Sequence, residues 1–130
     1  MSKQILVGHY QLGFRNFALY ADPNNASGTV KLAPDDKSKS SEVFIGVDGS
    51  WPEAVSTLLH ELFEVAFIDV NGRFKRCPTY CEEPSDFNFF LTHNEFSEAA
   101  ERVGYVLIDA LKDLSKVYKN HQKENAKKGK

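Results

Sequence analysis

The residues of this chain best suited to act together lie in the stretch TLLHELFEVAF, residues 57–67, at His60, Glu61 and Glu64. In a helix, positions i and i+4 share a face, so His60 and Glu64 project together and Glu61 flanks them. An imidazole beside carboxylates is a combination that divalent metals accept. The same residues also suit a plain solvated helix face, with His60 bonded to Glu64 or Ser56. That reading lacks counter-charges, because no Lys or Arg occurs between Lys39 and Arg73. A cation would have to fold back from Arg73, Lys75 or Arg76. Cys77 and Cys81 form a C-x3-C pair that could join His60 or His93 around zinc. With no second ligand pair at fixed spacing, they read more simply as small apolar residues. Phe87, Phe89 and Phe90 form an aromatic cluster and are the candidate binding residues for another protein. There is no phosphate-binding loop, G-x-S-x-G or dinucleotide fingerprint.

The chain that must position these groups has 130 residues, enough for one domain with a single core that needs neither disulfide nor metal to fold. A hydrophobic share of 42% against 26% charged residues is that of a soluble globular protein. The net charge of -2 gives no reason to expect a nucleic-acid or membrane surface as partner. No apolar run reaches membrane-spanning length, His9 and Gln4 interrupt the N-terminal one, and two cysteines make no disulfide framework. A cytoplasmic protein is the expectation. From Lys119 the chain reads KNHQKENAKKGK, basic and nearly free of apolar residues. The composition therefore predicts one domain over residues 1–118 and a solubilising tail over 119–130, a frayed helix end passing into disorder, able at most to touch an acidic partner or nucleic acid.

QILVGHYQL, FRNFALYA, TVKLA and EVFIGVDG read as short strands separated by turn chemistry such as Asp22-Pro23-Asn24-Asn25. In the last of these, Val43, Ile45 and Val47 fall on one face and Phe44 on the other. Sequential strands are expected to pair. A helix over 51–68 follows, capped by Ser50 with Pro52 in its first turn and Glu53 completing S-x-x-E. Its apolar side is expected to carry Val55, Leu58, Leu59, Leu62 and Ala66. Its polar side would carry Glu53, Ser56, Thr57, His60, Glu61 and Glu64, edged by Phe63 and Phe67. Asn71-Gly72 ends it, although that dipeptide could instead close a hairpin. Thr92 and Glu95 form a second capping box, opening a helix over 93–118 with apolar residues every three or four positions. Gly104 inside that helix implies close packing against another element. The fold class is thus α+β: a mainly antiparallel sheet of about three to five strands on two long helices.

Over residues 42–67 the order of a strand, a polar turn and a helix carrying LLHEL resembles a minimal zincin metallopeptidase domain. The resemblance implies an edge strand at EVFIGVDG beside a cleft, His60 as first zinc ligand and Glu61 as general base toward a metal-bound water. Glu64 stands where that family has its second histidine, giving HExxE in place of HExxH. A carboxylate can ligate zinc, but its charge weakens activation of the bound water. The third ligand would come from His93, Asp69 or the CPTYCEE loop.

The resulting expectation is a zincin-like domain with a degenerate motif that binds rather than cleaves. A metal-dependent hydrolase with an unusual His/Glu ligand set is one alternative. The other is a non-enzymatic regulator or inhibitor, of the kind phages and mobile elements encode, working through its acidic helix face.

Overall fold

A computed structural model describes residues 3–31, 41–70, 73–75, 87–89 and 91–128, with the backbone alone given for 73–75 and 87–89. Strands β1 (Ile5–Leu12), β2 (Arg15–Asp22), β3 (Gly28–Lys31) and β4 (Ser41–Gly46) precede helix α1 (Trp51–Asp69). Strands β5 (Arg73–Lys75) and β6 (Phe87–Phe89) form a separate antiparallel pair before helix α2 (His93–Lys128). The architecture is α+β, a four-stranded sheet packed on two helices. No described helix is long and apolar enough to cross a membrane.

Strand order in the sheet is β1-β2-β4-β3. The β1/β2 and β3/β4 pairings are antiparallel and β2/β4 is parallel, so the sheet is mixed. The expected pairing of sequential strands fails at β2 and β3, because β4 lies between them. The cause is the turn at Asp22. Its carboxylate accepts the Asn24 N–H at 2.9 Å and the Asn25 side-chain amide at 2.7 Å. Its carbonyl accepts the Val47 N–H at 3.0 Å, while Asp48 N–H reaches the Asn25 carbonyl at 3.0 Å. The turn therefore crosses the C-terminal end of β4 and delivers β3 to its far side. Gly46 makes the crossing possible, since any Cβ there would collide with the Asn25 carbonyl. A second correction follows: the strand expected at the sheet edge, EVFIGVDG, is interior, and the edge beside α1 is β3.

Phe17, Leu19 and Ala21 of β2 and Val43 and Ile45 of β4 share one core with both helices. The strands' period of two explains this: alternate residues face the helices, while Phe44, also buried, stacks on Tyr20 across the opposite face. α1 packs on β3 and β4, α2 on β1 and β2, and the helices pack on each other.

The Ser50 cap is present, its Oγ accepting the Glu53 N–H at 3.2 Å beside Pro52. At the other end Asp69 grips Arg15, whose Nε donates to both carboxylate oxygens at 3.1 Å and whose Nη2 donates at 2.7 Å. Arg15 Nη1 also donates to Ser41 Oγ at 3.1 Å, tying the start of β2 and of β4 to the end of α1. The buried side of α1 is rotated from the expected one. Ala54, Leu58, Glu61, Leu62, Val65 and Ala66 are buried, whereas Val55 and Leu59 are half-buried.

The second capping box also forms, with Glu95 N–H on Thr92 Oγ1 at 3.1 Å and Thr92 N–H on the Glu95 carboxylate at 2.9 Å. The Thr92 backbone N–H, with the Thr92 side chain, holds the Glu95 carboxyl below its usual range. α2 does not stop near 118: it is helical to Lys128, so the disordered tail expected from 119 is corrected for 119–128. The helix continues because its end has something to pack on. Tyr118 donates to the Gly49 carbonyl at 3.1 Å and its ring lies 5.3 Å from that of Trp51. One turn on, His121 is buried, with Nε2 3.7 Å from Asp48 and 3.2 Å from the Asn125 amide. Tyr10 donates to Asp113 at 2.6 Å, fastening β1 to the middle of α2. Burial, reinforced by that bond, pushes the Tyr10 hydroxyl pKa well above its ordinary value.

Burial would raise the Asp22 carboxyl pKa, but the Asn24 N–H and the side chains of Asn25, Gln4 and Asn24 outweigh it and hold it below the usual carboxylate value. The stabilisation is present above the unfolded value of about 3.9 and is lost as pH falls through the folded one. Urea unfolding between about pH 2 and 6 is expected to show stability declining over that window. Asp22→Asn should be less stable than wild type at neutral pH and have a flatter acid limb.

Candidate metal site

His60, Glu61 and Glu64 each present a potential ligand atom, and the three atoms all lie within 4.8 Å of one another. The group occupies little more than one turn of α1, a segment that is helical because it lacks Gly and Pro and buries Leu58, Leu62 and Val65. His60 Nε2 stands 3.5 Å from Glu64 Oε2. The His60 side chain is 70% exposed and that of Glu64 24%, while Glu61 is only 7% exposed. The group therefore runs from solvent at His60 to the core margin at Glu61. Glu61 thus lies deeper than its place on the polar stripe edged by Phe63 and Phe67 implies.

Glu61 reaches the margin because the strand beside it has no side chain to keep it out. A Cβ at Gly28 of β3 would lie 3.0 Å from Glu61 Oε1, 3.0 Å from its Cγ and 2.5 Å from Thr57 Cγ2. Gly28 thus lets α1 close on the edge strand, with Glu61 lying against it. The Thr57 hydroxyl is turned back into its own helix, donating to the Glu53 carbonyl at 2.8 Å. On the other flank the Phe63 and Phe67 rings are 5.5 Å apart, and Phe67 is 6.1 Å from Phe96 of α2. These aromatics are half-buried against the core, apart from Phe96, which is exposed.

The remaining candidates are dispersed. His93 is the first residue of α2, exposed and outside the group. Asp69 is committed to Arg15. Phe87 and Phe89 lie on β6, where only the backbone is described, and Phe90, Cys77 and Cys81 lie outside the described residues, as does Arg76. Sequence reasoning did not find the cleft of about 350 Å³ lined by Asn24, Asp48, His121, Glu124 and Asn125 among others. Its one signal was the i, i+4 spacing of His121 and Asn125 inside a stretch whose composition reads as tail.

One imidazole and two carboxylates on one side of an ion leave the other side open. With zinc–ligand bonds of about 2.1 Å, two ligands of a tetrahedral ion stand about 3.4 Å apart. The His60–Glu64 separation already matches that edge. Side-chain rotation at the exposed His60 can bring the group closer to Glu61, so the donor set fits a divalent ion.

Neither protein-family models, nor curated proteins, nor solved structures match this chain.

Gly28→Ala is expected to cost roughly 1–3 kcal/mol of stability, because the new methyl must displace Thr57 or Glu61. Removing the nearest obstructing atom with Thr57→Ala should return part of that loss. A double-mutant cycle by chemical denaturation would read the coupling, and additive effects would show that the two positions are not pressed together.

Proposed function

We propose that the chain is a zincin-like, metal-binding α+β domain, with His60, Glu61 and Glu64 holding a divalent ion, and that it binds rather than cleaves. The observation that carries this reading is the 3.5 Å approach of His60 to Glu64 with Glu61 inside the same 4.8 Å group. Zinc is the ion the donors suit best, since it takes both imidazole nitrogen and carboxylate oxygen and tolerates an open position. When bound, it would supply a Lewis-acid centre reachable from solvent on the His60 side.

Two features of the chain's own residues favour binding over hydrolysis. Two carboxylate ligands would cancel the ion's double positive charge, leaving little to acidify a bound water. Glu61, the residue matched to a general base, also belongs to the ligand group, so it cannot ligate and accept a proton from the nucleophile at once. Its burial beside Gly28 favours that first role.

Elemental analysis of purified protein is expected to find about one zinc per chain, and His60→Ala to lose it. Chelator should lower the melting temperature of wild type and leave that of the variant unmoved. Peptide substrates should stay intact with metal present. No bound metal, together with a wild-type melting temperature that chelator does not change, would reduce the motif to a structural helix.

A further inference from the structure

The face of α2 turned away from the core carries features that nothing within the described chain uses. Ala99, Val103, Val106, Ala110 and Leu114 are buried. At 100° per residue, the opposite side of the helix is the line Glu101, Tyr105, Ile108 and Lys112. Tyr105 is 80% and Ile108 75% exposed, unusually high for side chains of this size and placed side by side. Gly104, next to them, weakens the helix without any return among the described residues, where a Cβ at that position would meet nothing within 4 Å. The close packing that this glycine implied is not found among the described residues.

Charge along the line Glu101, Tyr105, Ile108 and Lys112 is antisymmetric about the apolar pair. Glu101 lies on the N-terminal side and Lys112 on the C-terminal side, while Glu98 is already paired with Arg102 at 2.6 Å. The spacing 101, 105, 108, 112 alternates four and three residues, that of a helix seam facing a second helix. Such a seam is complementary to itself when reversed. With a two-fold axis between residues 106 and 107, Tyr105 meets the partner's Ile108, and Glu101 meets the partner's Lys112. Parallel pairing would instead set like charges against each other.

We propose that this face is a self-association surface, on which two copies of the chain pair α2 against α2, antiparallel across that axis. Gly104 lets the helix axes approach where a larger residue would hold them apart. The pairing is isologous, so each contact occurs twice and no open chain of subunits forms. Two apolar side chains per copy make a small core, and the association is reversible rather than obligate. This inference does not depend on the metal site.

The test is sedimentation equilibrium with chelator present, from about 10 μM to 1 mM. Wild type is expected to pass from monomer to dimer over that range. Glu101→Lys and Lys112→Glu alone should each weaken the dimer by about tenfold or more, because each sets two like charges opposite each other twice. An equimolar mixture of the two single variants should associate again, since every 101–112 contact across the hetero-pair is then opposite in sign. Both positions are solvent-facing, and circular dichroism of each variant checks that it is folded. A wild type that stays monomeric throughout, single variants that associate as wild type does, or a mixture that fails to recover would each overturn the proposal.

Discussion

The turn at Asp22 is the constraint on which the rest of the arrangement depends. One buried carboxylate and one carbonyl gather donors from Asn24, Asn25 and Val47, and so bind the end of β2 to the end of β4. A short hairpin from β2 into β3 would have been the cheapest connection. Instead the chain steps over β4, which becomes a parallel neighbour of β2 and is buried on both faces. β3 is left as a four-residue edge strand, short enough to offer little to a passing strand from another molecule.

That step decides the surroundings of the candidate site. Because β3 is the edge, α1 meets Gly28 at the level of Glu61, where no side chain intervenes, and Glu61 settles at the core margin. The Arg15–Asp69 pair then fixes the far end of α1 to the starts of β2 and β4, which sets the helix's rotation about its own axis. A helix free to rotate by one residue's angle would leave Glu61 in solvent beside His60. The same three side chains would then be an exposed acidic patch rather than a graded group.

α2 shows how one helix can serve two purposes with opposite faces. Its inner stripe supplies small and branched residues to a core already crowded by α1, while Tyr10 and Tyr118 anchor it by hydrogen bonds at Asp113 and Gly49. Its outer stripe leaves Tyr105 and Ile108 exposed, with no cover among the described residues.

The sequence by itself determined the parts governed by local physics. Both helix starts were legible, since Ser50 and Thr92 cap within three residues of their partners, and so was the turn chemistry at Asp22. The i, i+4 pairing of His60 with Glu64 was legible too, because helix geometry alone brings them together. Only the tertiary structure decided what depended on distant segments. It placed β4 between β2 and β3, a choice made by hydrogen bonds from residues more than twenty positions beyond Asp22. It buried Glu61, because the position beside it on β3 is Gly28, where a Cβ would crowd the Glu61 side chain. It also kept α2 helical past 118, because Tyr118 and His121 find Gly49, Trp51 and Asp48 there, and composition does not register a contact about seventy residues away.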